Sequence, residues 1–146
     1  MTAVGGGPEF FRLVRFWSRR WTAGFISQAP EDPHCQQVMV VEAVDSAARN
    51  GGEVTVAAVA HQLGIDRSTA SRMISDAVAA GCLQREESAA DARRAPVSLT
   101  DQGRQVLDGS HNWQQQVFDR LIADWEPADR QRLAGYLRRL TDQTDT

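Results

Sequence analysis

Arg67, Ser68, Thr69, Ser71 and Arg72 crowd into one short stretch, and Asp91, Arg93 and Arg94 form a second polar group further along. Guanidinium groups and hydroxyls are donors suited to phosphate oxygens and to the edges of bases, and arginine presents its donors as a fork that stays charged. The first stretch follows Asp66, a residue that can cap a helix, and a helix N-terminus favours phosphate charge. The second lies in a polar loop, from whose tip Arg93 can enter a minor groove, where A·T-rich narrowing deepens the negative potential. Asp91 stands two residues before it and can hold the guanidinium. The same residues also fit a plain capped surface helix and an exposed ion pair worth under about 1 kcal/mol. What separates these readings is the order of the elements that carry the two groups.

Gly64 stops a short helix that begins after Thr55, and Asp66 opens the next, Arg67 to Ala80, before Gly81 ends it. Two short helices around a Gly-centred turn suggest a helix-turn-helix. In the second, Ala70, Met73, Ile74, Ala77 and Val78 share one side, which leaves its polar opening turn exposed. Leu83 to Glu86 and Ala95 to Leu99 read as two brief strands around the Asp91–Arg94 loop, with Pro96 tolerated at a sheet edge. Thr100 caps a long helix expected to reach Asp124, weakened at Gly109, where a kink is expected.

Around this centre lie amphipathic helices. Phe10, Leu13, Val14, Trp17, Trp21 and Phe25 recur at helical spacing between Pro8 and Ser27, and Arg12, Arg15, Arg19 and Arg20 occupy the other face as a solvated surface or a phosphate-contacting flank. His34 to Arg49 is rich in valine, which favours a strand locally, but its unbroken length favours a buried helix. After Pro127, the residues Leu133, Tyr136, Leu137 and Leu140 make one apolar stripe that needs a partner, either the first helix or a second copy of the chain.

The chain's 146 residues suit one domain, and no apolar run approaches the ~20 residues that span a bilayer, so no membrane partner is expected. Met1 to Pro8 lacks the pattern of a secretory signal, which points to the cytoplasm. The net charge of −3 means that any contact with nucleic acid must come from a local arginine cluster; all 16 basic residues are arginine, as GC-rich codon usage also produces. Cys35 and Cys82 follow no disulfide or zinc spacing and read as packed thiols. There is no Gly-rich phosphate loop and no glycine-flanked serine elbow, so neither an enzyme nor a bound cofactor is expected.

The run Asp91, Arg93, Val97, Leu99, Thr100 and Gly103, preceded by Leu63 to Thr69 and by Gly81 to Arg85, resembles the MarR family of bacterial transcriptional regulators. The resemblance is strong in the central third; the flanking helices match in order and length. It implies a mainly helical fold with a small β-hairpin: a winged helix-turn-helix lobe at 34–103, flanked by dimerisation helices at 8–33 and 104–146. In that arrangement Ser68, Thr69, Ser71 and Arg72 face the major groove of double-stranded DNA and Arg93 the minor groove. Ala58, where the family often has an acid, Cys82, where a larger apolar residue is common, and Pro96 in the returning strand depart from its pattern.

The resemblance also places Trp17, Trp21, His34, Val38, Val41 and Trp113 near a cleft that takes small aromatic molecules in many relatives. The same residues suit a core or a dimer seam, since aromatics at helical spacing usually pack. Cys35 lies where some relatives carry an oxidant-sensing cysteine, whereas His34, Cys35, Glu31 and His111 propose no definite metal site. The expectation is a homodimeric repressor of a pseudo-palindromic operator, released by a small aromatic ligand. The alternatives are redox control through Cys35 and a winged helix that contacts only protein.

Overall fold

The computed structural model describes residues 4–18, 20, 37–87 and 95–144. The expectations placed on Arg19, Trp21, Phe25, Glu31, His34, Cys35, Asp91, Arg93 and Arg94 therefore lie outside the described residues. Within them the order is α1 (Gly7–Trp17), α2 (Val38–Ala48), α3 (Val56–Leu63), α4 (Arg67–Ala79), β1 (Leu83–Arg85), β2 (Val97–Leu99), α5 (Asp101–Leu121) and α6 (Pro127–Thr144). Among the described residues the chain is mainly helical with one small antiparallel hairpin, as the sequence implied.

The valine-rich segment is helical because it is wrapped on nearly every side. Val38, Val40, Val41, Ala43, Val44 and Ala47 of α2 are all buried, and α2 touches α3, α4, α5 and β2. Burial of this kind overrides the strand preference of branched side chains. Ile74 and Ala77 of α4, Val59 of α3, and Val106 and Leu107 of α5 complete the same core.

Local signals set the element ends. The Thr55 hydroxyl accepts the Ala58 N–H at 3.2 Å and starts α3. Gly64, at φ 65°, ends it in the left-handed region that glycine enters without strain. Helix α4 stops one residue earlier than Ala80, through a two-bond motif: Gly81 N–H donates to the Val78 carbonyl (3.1 Å) and Cys82 N–H to the Ala77 carbonyl (2.9 Å).

The hairpin pairs Leu83 with Leu99, Gln84 with Ser98 and Arg85 with Val97. Both strands are shorter than expected, because Pro96 has no N–H to donate to the ladder; its carbonyl still accepts from Glu86 N–H at 2.8 Å. Val97 instead donates to the Val54 carbonyl at 3.0 Å, so the segment before α3 partly covers the edge of β2.

Helix α5 begins at the Thr100 cap, whose hydroxyl accepts Gly103 N–H at 3.1 Å. It runs unbroken through Gly109 but ends at Leu121 rather than Asp124, with Ile122 as its cap and the start of the turn into α6. The Arg130 guanidinium braces that turn by donating to the carbonyls of Ala123 (2.7 Å) and Trp125 (3.0 Å).

No described residue of α1 or α6 is buried. Phe10, Phe11, Leu13, Val14 and Phe16 on α1, and Tyr136, Leu137 and Leu140 on α6, are exposed. Thus Tyr136, Leu137 and Leu140 of the α6 stripe are left exposed among the described residues.

Candidate nucleic-acid interface

The start of α4 is built around Asp66. One carboxylate oxygen accepts the Thr69 N–H at 2.8 Å and the other accepts the Thr69 hydroxyl at 2.7 Å. These two bonds, the backbone one first, hold the Asp66 carboxyl below the usual carboxylate range. Opposite, Ala70, Ile74 and Ala77 are fully buried and fix the helix to the lobe. Arg67, Ser68, Ser71 and Arg72 are consequently exposed on a firmly seated helix.

Thr69 differs from its neighbours. Its hydroxyl proton is committed to Asp66, and its oxygen accepts from Arg72 Nη2 at 3.4 Å, so it organises the turn and the adjacent guanidinium. Further along the same exposed side, Arg85 of β1 donates to the Ser75 hydroxyl at 3.1 Å. That second guanidinium was not singled out from the sequence. Its signal is weak there, since only the turn at Gly81 brings β1 back beside α4.

The loop between β1 and β2, which carries Asp91, Arg93 and Arg94, lies outside the described residues. The described strands on each side show where its two ends are held. On the hairpin surface Gln84 donates to Ser98 at 3.2 Å, and Ser98 donates to Glu86 at 2.8 Å.

Away from this surface, a cavity of about 430 Å³ opens between α1, α2 and α5. Trp17 and Trp113 line it together, their rings edge to face with centroids 6.5 Å apart. Val117, Phe118 and Leu121 add apolar wall, and Glu42 and Gln114 supply the polar groups. Val38 and Val41, expected near such a cleft, sit in the core and are not among the lining residues. Glu42, Gln114 and Phe118 escaped the sequence reading. The available signal was an acid at 42 inside an otherwise apolar run, and the helical spacing of 114, 118 and 121 beside Trp113.

Glu42 belongs to a polar cluster between α2 and α5. Its Oε1 accepts from the Ser110 hydroxyl and from Gln114 Nε2, each at 2.8 Å, and its Oε2 lies 3.0 Å from His111 Nε2. A carboxylate only accepts, so that imidazole nitrogen carries the proton. Among the described residues no cluster of three or more potential metal ligands occurs.

The sequence matches the MarR family over residues 36–94, the segment that contains α2, α3, α4 and β1. No curated protein sequence matches the chain significantly. Among solved structures, apo wild-type MarR from E. coli is 18% identical with a TM-score of 0.67, over 95% of this chain and 98% of that one. The PcaV transcriptional regulator from Streptomyces coelicolor, in complex with its natural ligand, is 21% identical with a TM-score of 0.58, over 97% and 98% of the two chains. A MepR variant from S. aureus bound to an oligodeoxyribonucleotide is 15% identical with a TM-score of 0.58, over 93% and 96%. At these identities the likeness is one of fold.

Proposed function

We propose, from the premise that this chain is a MarR-family protein and so not an enzyme, that it is a cytoplasmic, homodimeric repressor which binds a pseudo-palindromic operator. The observation that carries this reading is the capped start of α4, where Arg67, Ser68, Ser71 and Arg72 are exposed on a helix anchored by Ala70, Ile74 and Ala77. Side chains on the first turns of such a helix reach base edges and phosphates in the major groove. Arg93, whose role rests on the sequence alone, extends the contact to the minor groove.

Two copies joined through α1 and α6 present two reading helices to half-sites about one helical turn apart. The exposed apolar residues on both terminal helices support this arrangement. The cavity beside Trp17 and Trp113 is the effector site, and a ligand that favours a spacing of the lobes mismatched to the DNA releases it.

Binding to double-stranded DNA from the adjoining promoter region, followed by fluorescence anisotropy at rising salt, tests the reading. Several arginine–phosphate contacts give affinity that falls steeply and linearly on a double-logarithmic plot. Affinity that is absent, or indifferent to salt, rules out the DNA-binding role and favours a lobe that contacts only protein.

A further inference from the structure

The chemical character of the cavity follows from which charges line it. Among the described lining residues Glu42 is the one ionisable group, set among Trp17, Trp113, Val117, Phe118 and Leu121. No described arginine or histidine lines it to meet an anion. Arg20, the guanidinium nearest in sequence to Trp17 among those described after it, is folded away: it donates to the Phe16 carbonyl at 2.9 Å and stacks 3.9 Å over the Phe16 ring.

The carboxylate is also oriented. Ser110, Gln114 and His111 occupy three of its roughly four acceptor positions and fix the group between α2 and α5. One acceptor position and the negative charge remain for an occupant. The two indole rings provide apolar surface and electron-rich faces, which attract a flat ring and a cation alike.

We propose that this cavity selects a flat organic cation, an aromatic ammonium or amidinium, over an aromatic acid of the same size. The proposal rests on the reading of the cavity as the effector site and assigns that site its charge. An aromatic carboxylate entering here meets Glu42 with no cation among the described lining residues to offset the repulsion; His111, hydrogen-bonded to Glu42 Oε2, is not one of them. An ammonium meets the carboxylate directly, in a setting where apolar walls weaken screening.

Isothermal titration of the full-length protein at pH 8 with 2-(2-naphthyl)ethylammonium, 2-(2-naphthyl)ethanol and 2-naphthylacetate separates charge from ring size. The ammonium is expected to bind at least tenfold more tightly than the carboxylate, with the alcohol between them. Glu42→Gln, which keeps an acceptor for Ser110, is expected to shrink that ratio to near one. Equal affinities, a preference for the carboxylate, or no binding by any of the three overturns the proposal on the wild-type protein alone, whatever the variant does. Anisotropy of labelled promoter DNA, run in parallel, reads the regulator function separately. Tight ammonium binding that leaves DNA bound supports the charge assignment and counts against the effector role.

Discussion

Gly103 lies against the carbonyl of Cys82 so closely that a side-chain carbon at this position would overlap the carbonyl oxygen. The same carbonyl accepts the Thr100 N–H at 3.1 Å, and the Thr100 hydroxyl donates to the Gly81 carbonyl. The end of α4, the root of the hairpin and the start of α5 therefore meet at one point.

The contact at Gly103 reverses the usual effect of replacing a helical glycine. Alanine normally gains about 1 kcal/mol in a helix interior. At Gly103 the overlap with backbone forces α5 away from Cys82, and Gly103→Ala is expected to destabilise the fold by about 1–3 kcal/mol, the range for overpacking. Urea denaturation measures it. An unchanged or higher midpoint would show that the junction is loose.

Asp66 makes the start of α4 sensitive to acid. Its folded pKa is lowered, chiefly by the Thr69 N–H and then by the Thr69 hydroxyl. Its contribution to stability is accordingly full above the unfolded aspartate value and is lost as pH falls through the lower, folded value. NMR titration should find the Asp66 carboxyl below the usual range, and Asp66→Ala should remove this part of the acid dependence. A normal titration midpoint in the wild type is the contrary result.

The order of elements was readable because short-range chemistry sets it: Thr55, Gly64, Asp66, Gly81 and Thr100 each act on backbone within a few residues. The α2 helix was readable from length, against its valine content. The polar side of the cavity was not, because Glu42 and Ser110 stand far apart in sequence and meet only when α2 packs on α5. Likewise the helical pattern of Ser68 to Arg72 gives their face, but the commitment of Thr69 to Asp66 depends on rotamers that spacing does not determine.

That commitment separates Thr69 from its exposed neighbour Arg72. Thr69→Val is expected to lower stability through the cap, by about 0.5–2 kcal/mol, and to affect DNA affinity less. Arg72→Ala and Arg93→Ala are expected to weaken DNA binding by about 1–3 kcal/mol with little loss of stability. Denaturation and anisotropy on the same samples distinguish the two patterns. Equal effects of Thr69→Val and Arg72→Ala on affinity would assign Thr69 a direct contact instead.

The uncovered stripe on α6 yields a prediction about assembly. Tyr136, Leu137 and Leu140 are each more than a third exposed in the single chain. If a second copy covers them, Leu137→Glu buries an unpaired carboxylate and weakens the dimer by about 3 kcal/mol or more, on the order of a hundredfold. Sedimentation across a concentration series reads this directly. A variant that sediments as the wild type does places the partner elsewhere.

Ser110 joins stability to the cavity. It is fully buried, donates to Glu42 Oε1 at 2.8 Å and accepts from Gln114 Nε2 at 3.0 Å. Ser110→Ala removes a donor to a charged group, for which about 1.5–3 kcal/mol is typical, and frees the carboxylate to turn. Stability should fall by that order, and the preference among the naphthyl probes should narrow because an unfixed carboxylate no longer faces the ligand in one orientation. Loss of stability with the preference intact would mean that Gln114 and His111 alone suffice to aim Glu42.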